Sequence, residues 1–435
     1  MATPTDLSQF IRDVRICDTH EHMFKEAEYR KQKPDILCEI FDNYVLADFG
    51  VAGATEAQVQ ALRNPENPDI EARFAPVAEI WKACRFTGYG EAAREIAKRF
   101  FGIEEFSVRA LRDAQAKLPA AWPAGERLRL LRDEARLDHI QVDDFCWPCL
   151  PDESGPDFFF YDIRWADFCY GELKTEELFK ETGVQVRDLE TLREGMAKIF
   201  TKYADMAIAV KSQHAYTRSI AWQERSDAEA APVLQRALAG AKDISQDERI
   251  LLGDWCTARG VELAIQHNLP FKIHTGYLAG HSYMQPQRIS AAHLSPLLAR
   301  YREARFVLMH ISYPYENEIV ALAKHYRNVY LDLCWAWSLN PFKTTEMVRN
   351  YIHAVPSNKL FVFGGDIARP RAAVAYAEQC RRGLERALSA EIESGFLTEK
   401  DALELARWYC QENQRACFDI EGRRARAKEK LAQSR

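Results

Sequence analysis

The chain has 435 residues, 47% of them hydrophobic and 28% charged; this is an ordinary globular composition, long enough for one large core or two domains. A formal net charge of -6 and a pI near 6.1 give no electrostatic reason to expect nucleic acid or acidic lipid as a partner. No apolar run reaches the roughly 20 residues that span a bilayer, residues 1–6 lack the basic and apolar regions of a secretory leader, and 11 scattered cysteines suit reduced thiols in a cytoplasm.

A short apolar run predicts a first strand at about residues 14–19. The stretch 23–136 then reads as helical. Ala92, Ala93, Ile96, Ala97, Phe100 and Phe101 recur at helical spacing with charged residues between them, and Pro65, Pro68, Pro76, Gly88 and Gly90 punctuate the region. No flexible linker bounds it, so it reads as an insertion within a single domain spanning 1–435. From residue 137 short apolar runs alternate with amphipathic helices. The runs fall at 140–145, 163–168, 206–210, 271–273, 306–309, 329–333 and 360–363. With the first strand they make eight, the count of a closed (β/α)8 TIM barrel, here distorted by its insertion. Helices at about 371–394 and 399–417, within a C-terminal extension at 371–418, would pack outside the barrel. The basic tail 423–435 reads as a frayed, solvated helix end.

In such barrels the chemistry sits at the C-terminal ends of the strands. Asp18-Thr19-His20-Glu21-His22 follows the first strand, and side chains two apart share one face. His20 and His22 can therefore grip one cation. His274 ends the run 271–273, His310 the run 306–309, and Gly364-Gly365-Asp366 the last run. Three or four N/O donors converging on a barrel mouth describe a site for Zn²⁺, with Mn²⁺ or another divalent ion as alternatives. Lys211 follows four apolar residues. Two readings stand open: a lysine snorkelling to the rim, or a carbamylated lysine bridging two metals.

These motifs together resemble the amidohydrolase superfamily, and more narrowly its amidohydrolase-2 branch of metal-dependent TIM-barrel hydrolases. The resemblance rests on Asp18 to His22, His274 to Tyr277, His310 to Tyr315, Asn328 to Trp335, Gly364 to Asp366 and Glu412 to Phe418. It implies that His20, His22, His274 and Asp366 are metal ligands and that Asp366 also takes a proton from the activated water. It implies for His310 either a second metal or polarisation of the substrate. One ion or two is left open.

Arg164, Arg218 and Arg369 fall on or just after strands, where a guanidinium can hold a substrate carboxylate; a structural ion pair is the alternative for each. His214 and Tyr277 are further candidates for substrate contact, as is His281. Cys146-Trp147-Pro148-Cys149 has the spacing of a redox pair but no helix start to lower a thiol pKa and no second pair to complete a zinc site. The expected function is hydrolysis of a C–N or C–O bond in a small polar substrate by a metal-activated water. The alternatives are a non-hydrolytic relative, uronate isomerase-like or a decarboxylase, and a non-catalytic metal-binding barrel. The helical insertion, with Thr87-Gly88-Tyr89-Gly90, is similar to that of uronate isomerases. A homo-oligomer is compatible with all of these.

Overall fold

The computed structural model describes residues 5–281 and 284–433. Residues 1–4, read above for a leader, and 434–435, the end of the basic tail, lie outside the described residues. Strands β1 (Ile16–Glu21), β2 (Leu137–Val142), β3 (Phe159–Arg164), β4 (Ala209–Ser212), β5 (Phe271–His274), β6 (Phe306–Met309), β7 (Val329–Asp332) and β8 (Leu360–Phe361) lie side by side in chain order. Every neighbouring pair is parallel. The chain just past β8 closes the seam. Thr19 N–H donates to Phe363 O at 3.0 Å, Asp366 N–H to His20 O at 3.0 Å and His22 N–H to Ile367 O at 3.2 Å. This is a (β/α)8 barrel. Helices cover the strands on one face and interior side chains on the other, which is why β6 reads Phe-Val-Leu-Met without alternation.

Several strand limits differ from those expected. β2 and β3 begin earlier, and Trp165 and Phe168 leave the sheet to start the helix Ala166–Tyr170. Their apolar side chains pack outside the barrel, so a hydrophobic run alone placed them wrongly. β4 starts later and contains Lys211 and Ser212, both buried. Lys211 faces the site at the barrel axis, where Nζ lies 3.0 Å from His20 Nε2, whereas Ser212 turns to the other face and bonds His214 at 2.9 Å.

Between β1 and β2 the chain forms helices from Glu26–Lys31 to Glu126–Arg129. In the helix Gly88–Phe101, Ala92, Ala93, Ile96 and Ala97 are buried, Thr87 caps the start and Gly102, at φ 66°, ends it. Gln379 Nε2 donates to Gly88 O at 2.8 Å and ties this helix to Pro370–Glu393. The helix Gln246–Gln266 opens with a capping box between Ser245 and Glu248. The terminal helix Ile420–Gln433 is docked along the side facing Asp138, not frayed: Arg423 and Ala427 are buried, and Arg424 Nη2 donates to Asp138 Oδ2 at 2.6 Å. Arginine stems cover apolar surface while their heads find carboxylates, a pairing that composition alone does not reveal.

Candidate metal centre

His20 and His22 project from the end of β1 onto one carboxylate oxygen. Asp366 Oδ1 lies 3.0 Å from His20 Nε2 and 3.1 Å from His22 Nε2. One donor atom from each of the three residues falls within 4.8 Å of the others. His22 Nδ1 lies 2.8 Å from Asp143 O. A carbonyl only accepts, so Nδ1 carries a proton, and Nε2 faces the carboxylate as a lone pair in the neutral ring or as a donor in the imidazolium, the form that Asp366 favours. His22 Nε2 and Asp366 Oδ1, 3.1 Å apart, are bridged either by a proton on the imidazole or by an ion, and the donor set of two imidazoles and one carboxylate fits a divalent metal.

The other strand ends stand around this group. His274 Nε2 donates to Tyr277 O at 3.1 Å, leaving Nδ1 as its lone-pair nitrogen, and its ring is 4.3 Å from that of His310. His310 Nδ1 donates to Cys334 O at 3.0 Å. Its Nε2 is buried with no hydrogen-bond partner among the described residues, 3.9 Å from Asp366 Oδ2. Lys211 Nζ is 3.0 Å from His20 Nε2. Below them Lys272 Nζ donates to both oxygens of Asp162 at 2.9 Å and to Thr19 O at 2.8 Å, a buried ion pair under the histidines.

Electrostatics follow from burial. His20 is driven well below its ordinary pKa by burial and by Lys211, and His274 by burial and by His310. Burial pushes His310 down to about 4. Burial opposes ionisation of Asp366, but hydrogen bonds from His20 and His22 hold its carboxyl well below the usual range.

The remaining candidates separate. Arg164 pairs with Asp167 at 3.2 Å and lies over Phe145, whose ring stacks on His22 at 4.5 Å. Tyr277 stacks on Trp335, 6.1 Å between centroids, and Trp335 meets His310 edge-on. Arg369 lines the same cavity as His22 and Asp366, a space of about 990 Å³. Arg218 does not join them: it is fully buried, and its guanidinium is taken by Asp254 at 2.8 Å and Ile250 O at 3.1 Å. The structural alternative holds there because a buried guanidinium needs a counter-charge. His214 is likewise engaged, with Ser212 Oγ at 2.9 Å and Ile220 O at 3.3 Å.

Two groups had no sequence signal. Tyr44, in the helical insertion, donates to Asp366 Oδ2 at 2.9 Å and lies 2.8 Å from Asp366 O. Phe145 covers His22 from a left-handed turn, φ 61°. Elsewhere Cys17, Asp138 and His139 also bring donor atoms within 4.8 Å. Arg415 and Arg424 already pair with Asp138, at 3.1 and 2.6 Å, so that cluster carries its own cations. Cys146 lies 3.0 Å from Asp144 Oδ1, and burial and that carboxylate push its thiol up to about 12.

Comparison with known proteins identifies the family and the fold. The family model described as Amidohydrolase matches residues 177–413, more than half of the chain. The chain therefore belongs to the amidohydrolase family, a class of TIM-barrel enzymes that typically depend on divalent metals. Over 161 residues it is 32% identical to Protein fluG of Emericella nidulans; the match spans 36% of this chain and 18% of that protein's length. Its fold is similar to that of uronate isomerase from Thermotoga maritima (TM-score 0.78, 17% identity, 95% of this chain and 96% of that one). It is also similar to glucuronate isomerase from Caulobacter crescentus (TM-score 0.76, 16% identity, 95% of each chain).

Proposed function

We propose that this chain is a metal-dependent hydrolase that cleaves a C–N or C–O bond, in an amide, ester or lactone. The observation that carries the reading is the convergence of His20 Nε2 and His22 Nε2 on Asp366 Oδ1. His20, His22 and Asp366 would hold the ion, with His274 beside them, and the nitrogen-rich set favours Zn²⁺. A divalent cation there supplies Lewis acidity, polarising a substrate oxygen and bringing the pKa of water towards neutrality. Lys211, if carboxylated, and His310 would be the donors for a second ion.

The protein's own groups handle protons and orientation. Asp366 Oδ2 takes a proton from the attacking water and passes it to the leaving nitrogen or oxygen. The Tyr44 hydroxyl, donating to that oxygen, orients the carboxylate. His310, its Nδ1–H fixed on Cys334 O, turns Nε2 towards the substrate. Phe145 stacks over His22 and limits water on that side. The same reading treats the chain as one domain, with 23–136 inserted and 371–418 closing it; the bond from Tyr44 to Asp366 supports this.

A second reading, isomerisation of a uronate, is favoured by the likeness in shape to uronate isomerases along 95% of the chain. Products separate the two. The metal-loaded protein is assayed against amides, lactones and uronates in ¹⁸O-water. Carboxylate release with one ¹⁸O incorporated is the expected result. Aldose–ketose conversion without incorporation would overturn hydrolysis.

A further inference from the structure

The cavity that carries His22 and Asp366 also carries Asp42, Arg63 and Arg369 on its wall, and the hydrolytic reading gives these three no task. Both guanidiniums lean on one carboxylate. Arg63 Nη2 is 2.7 Å from Asp42 Oδ1, its guanidinium's single ionic contact among the described residues. Arg369 Nε and Nη2 lie 3.1 and 2.7 Å from Asp42 Oδ2, and Nη1 donates to Gln32 Oε1 at 2.6 Å. Glu39 lies 3.7 Å behind Arg369 and is held more closely, at 2.9 Å, by Arg371, which also pairs with Glu126 at 2.9 Å. The other charges of the wall are matched: Lys25 pairs with Asp144 at 3.2 Å and Glu28 with Lys31 at 2.7 Å. Two forked cations thus lean on one shared anion at the cavity wall, with Glu39 as a longer second contact of Arg369, an arrangement that can receive an incoming carboxylate. Arg369 is three residues from Asp366, so their Cα atoms stand no more than about 11 Å apart. That is the length of one small molecule.

The rest of the wall is mostly apolar, with Met23, Phe24, Leu46, Phe145, Ile367 and Ala368. Of its neutral amides, Asn43 is engaged at both ends and Gln32 at its carbonyl oxygen. Asn43 Nδ2 donates to Ile40 O and its Oδ1 accepts from Val45 N–H, while Gln32 accepts from Arg369. The hydroxyls of a sugar acid would be desolvated there with few partners, which is unfavourable for each of them. We infer that Arg63 and Arg369, bridged by Asp42, bind the carboxylate of a substrate whose body is aliphatic or aromatic, an amide or ester carrying a free carboxylate. The inference rests on the hydrolase reading only for the reacting end.

The test measures equilibrium binding of three probes by calorimetry: 3-phenylpropionate, its neutral analogue 3-phenylpropanol, and D-glucuronate. Wild-type protein is expected to bind 3-phenylpropionate at least tenfold more tightly than the other two. Arg63→Gln, at a half-exposed side chain with one ion pair, is expected to weaken 3-phenylpropionate about tenfold while leaving 3-phenylpropanol and metal content unchanged; Arg63→Lys should recover part of the loss. His20→Ala, which removes the metal, should retain the carboxylate binding. Affinity that is lost in His20→Ala but insensitive to Arg63→Gln would place the carboxylate on the metal and overturn the proposal. So would glucuronate binding as tightly as 3-phenylpropionate. Absent metal or absent hydrolysis, with the Arg63 effect intact, would defeat the hydrolase reading and leave this one standing.

Discussion

Asp366 is held by three side chains from the distant N-terminal part of the chain: His20 and His22 at Oδ1 and Tyr44 at Oδ2. Each contact has a separable consequence. Replacing His20 by Ala removes a donor nitrogen, and bound metal measured by elemental analysis is expected to fall from stoichiometric to near zero. Tyr44→Phe keeps the ring against Trp335, 4.6 Å away, and loses one hydrogen bond to a carboxylate, worth about 1.5–3 kcal/mol. It is expected to retain metal and lower kcat about tenfold or more, with little change in Tm; an unaltered kcat would remove Tyr44 from the mechanism. The histidines and Asp366 were legible because each follows its own apolar run. Tyr44 was not, because 322 residues separate it from Asp366 and nothing in its neighbourhood marks it.

At the scale of elements, the strand ends that build the site share a backbone habit. Phe145 after β2, His310 after β6, Trp335 after β7 and Asp366 after β8 all have positive φ, between 56° and 66°. Non-glycine residues pay for this conformation, about 1–3 kcal/mol each, and hold it where the surroundings dictate it. Here it turns the side chains from the strand direction into the barrel mouth. The helix Gln246–Gln266 shows the opposite device. Gly260 faces the indole of Trp165, where a Cβ would overlap the ring. Gly260→Ala is expected to destabilise by about 1–3 kcal/mol through overpacking, despite alanine's better helix propensity. A lowered midpoint in urea at unchanged m-value checks this. Element order and type were legible from period and punctuation. Strand limits were not, since Trp165 and Phe168 are as apolar as any strand residue and only packing assigns them to a helix.

Across the whole molecule, the terminal helix reaches back to the start of β2. Asp138 accepts from Arg424 at 2.6 Å, meets Arg415 at 3.1 Å and lies 2.9 Å from His139 Nδ1. Burial raises its pKa, but the His139 contact and Arg424 more than offset this, and it is held well below the usual carboxylate range. The folded pKa lies below the unfolded value near 3.9. The linked stability is therefore complete above about pH 4 and is lost as pH falls towards the folded value. Asp138→Asn is expected to cost about 1–3 kcal/mol at pH 7. The difference from wild type in urea midpoint should be the same at pH 7 and 5 and shrink below about pH 4. A constant difference down to pH 3 would show that the charge of Asp138 is not what holds the helix.

The sequence by itself determined the barrel and the residue types at its mouth, because strand period and chain order are local properties that eight apolar runs express directly. Only the tertiary structure decided what those residues meet. Arg218 is neutralised by Asp254, whereas Arg369 and Arg63 share Asp42 on the cavity wall. Three arginines of one chemistry thus receive different tasks, because a guanidinium's role depends on which carboxylates folding brings within reach.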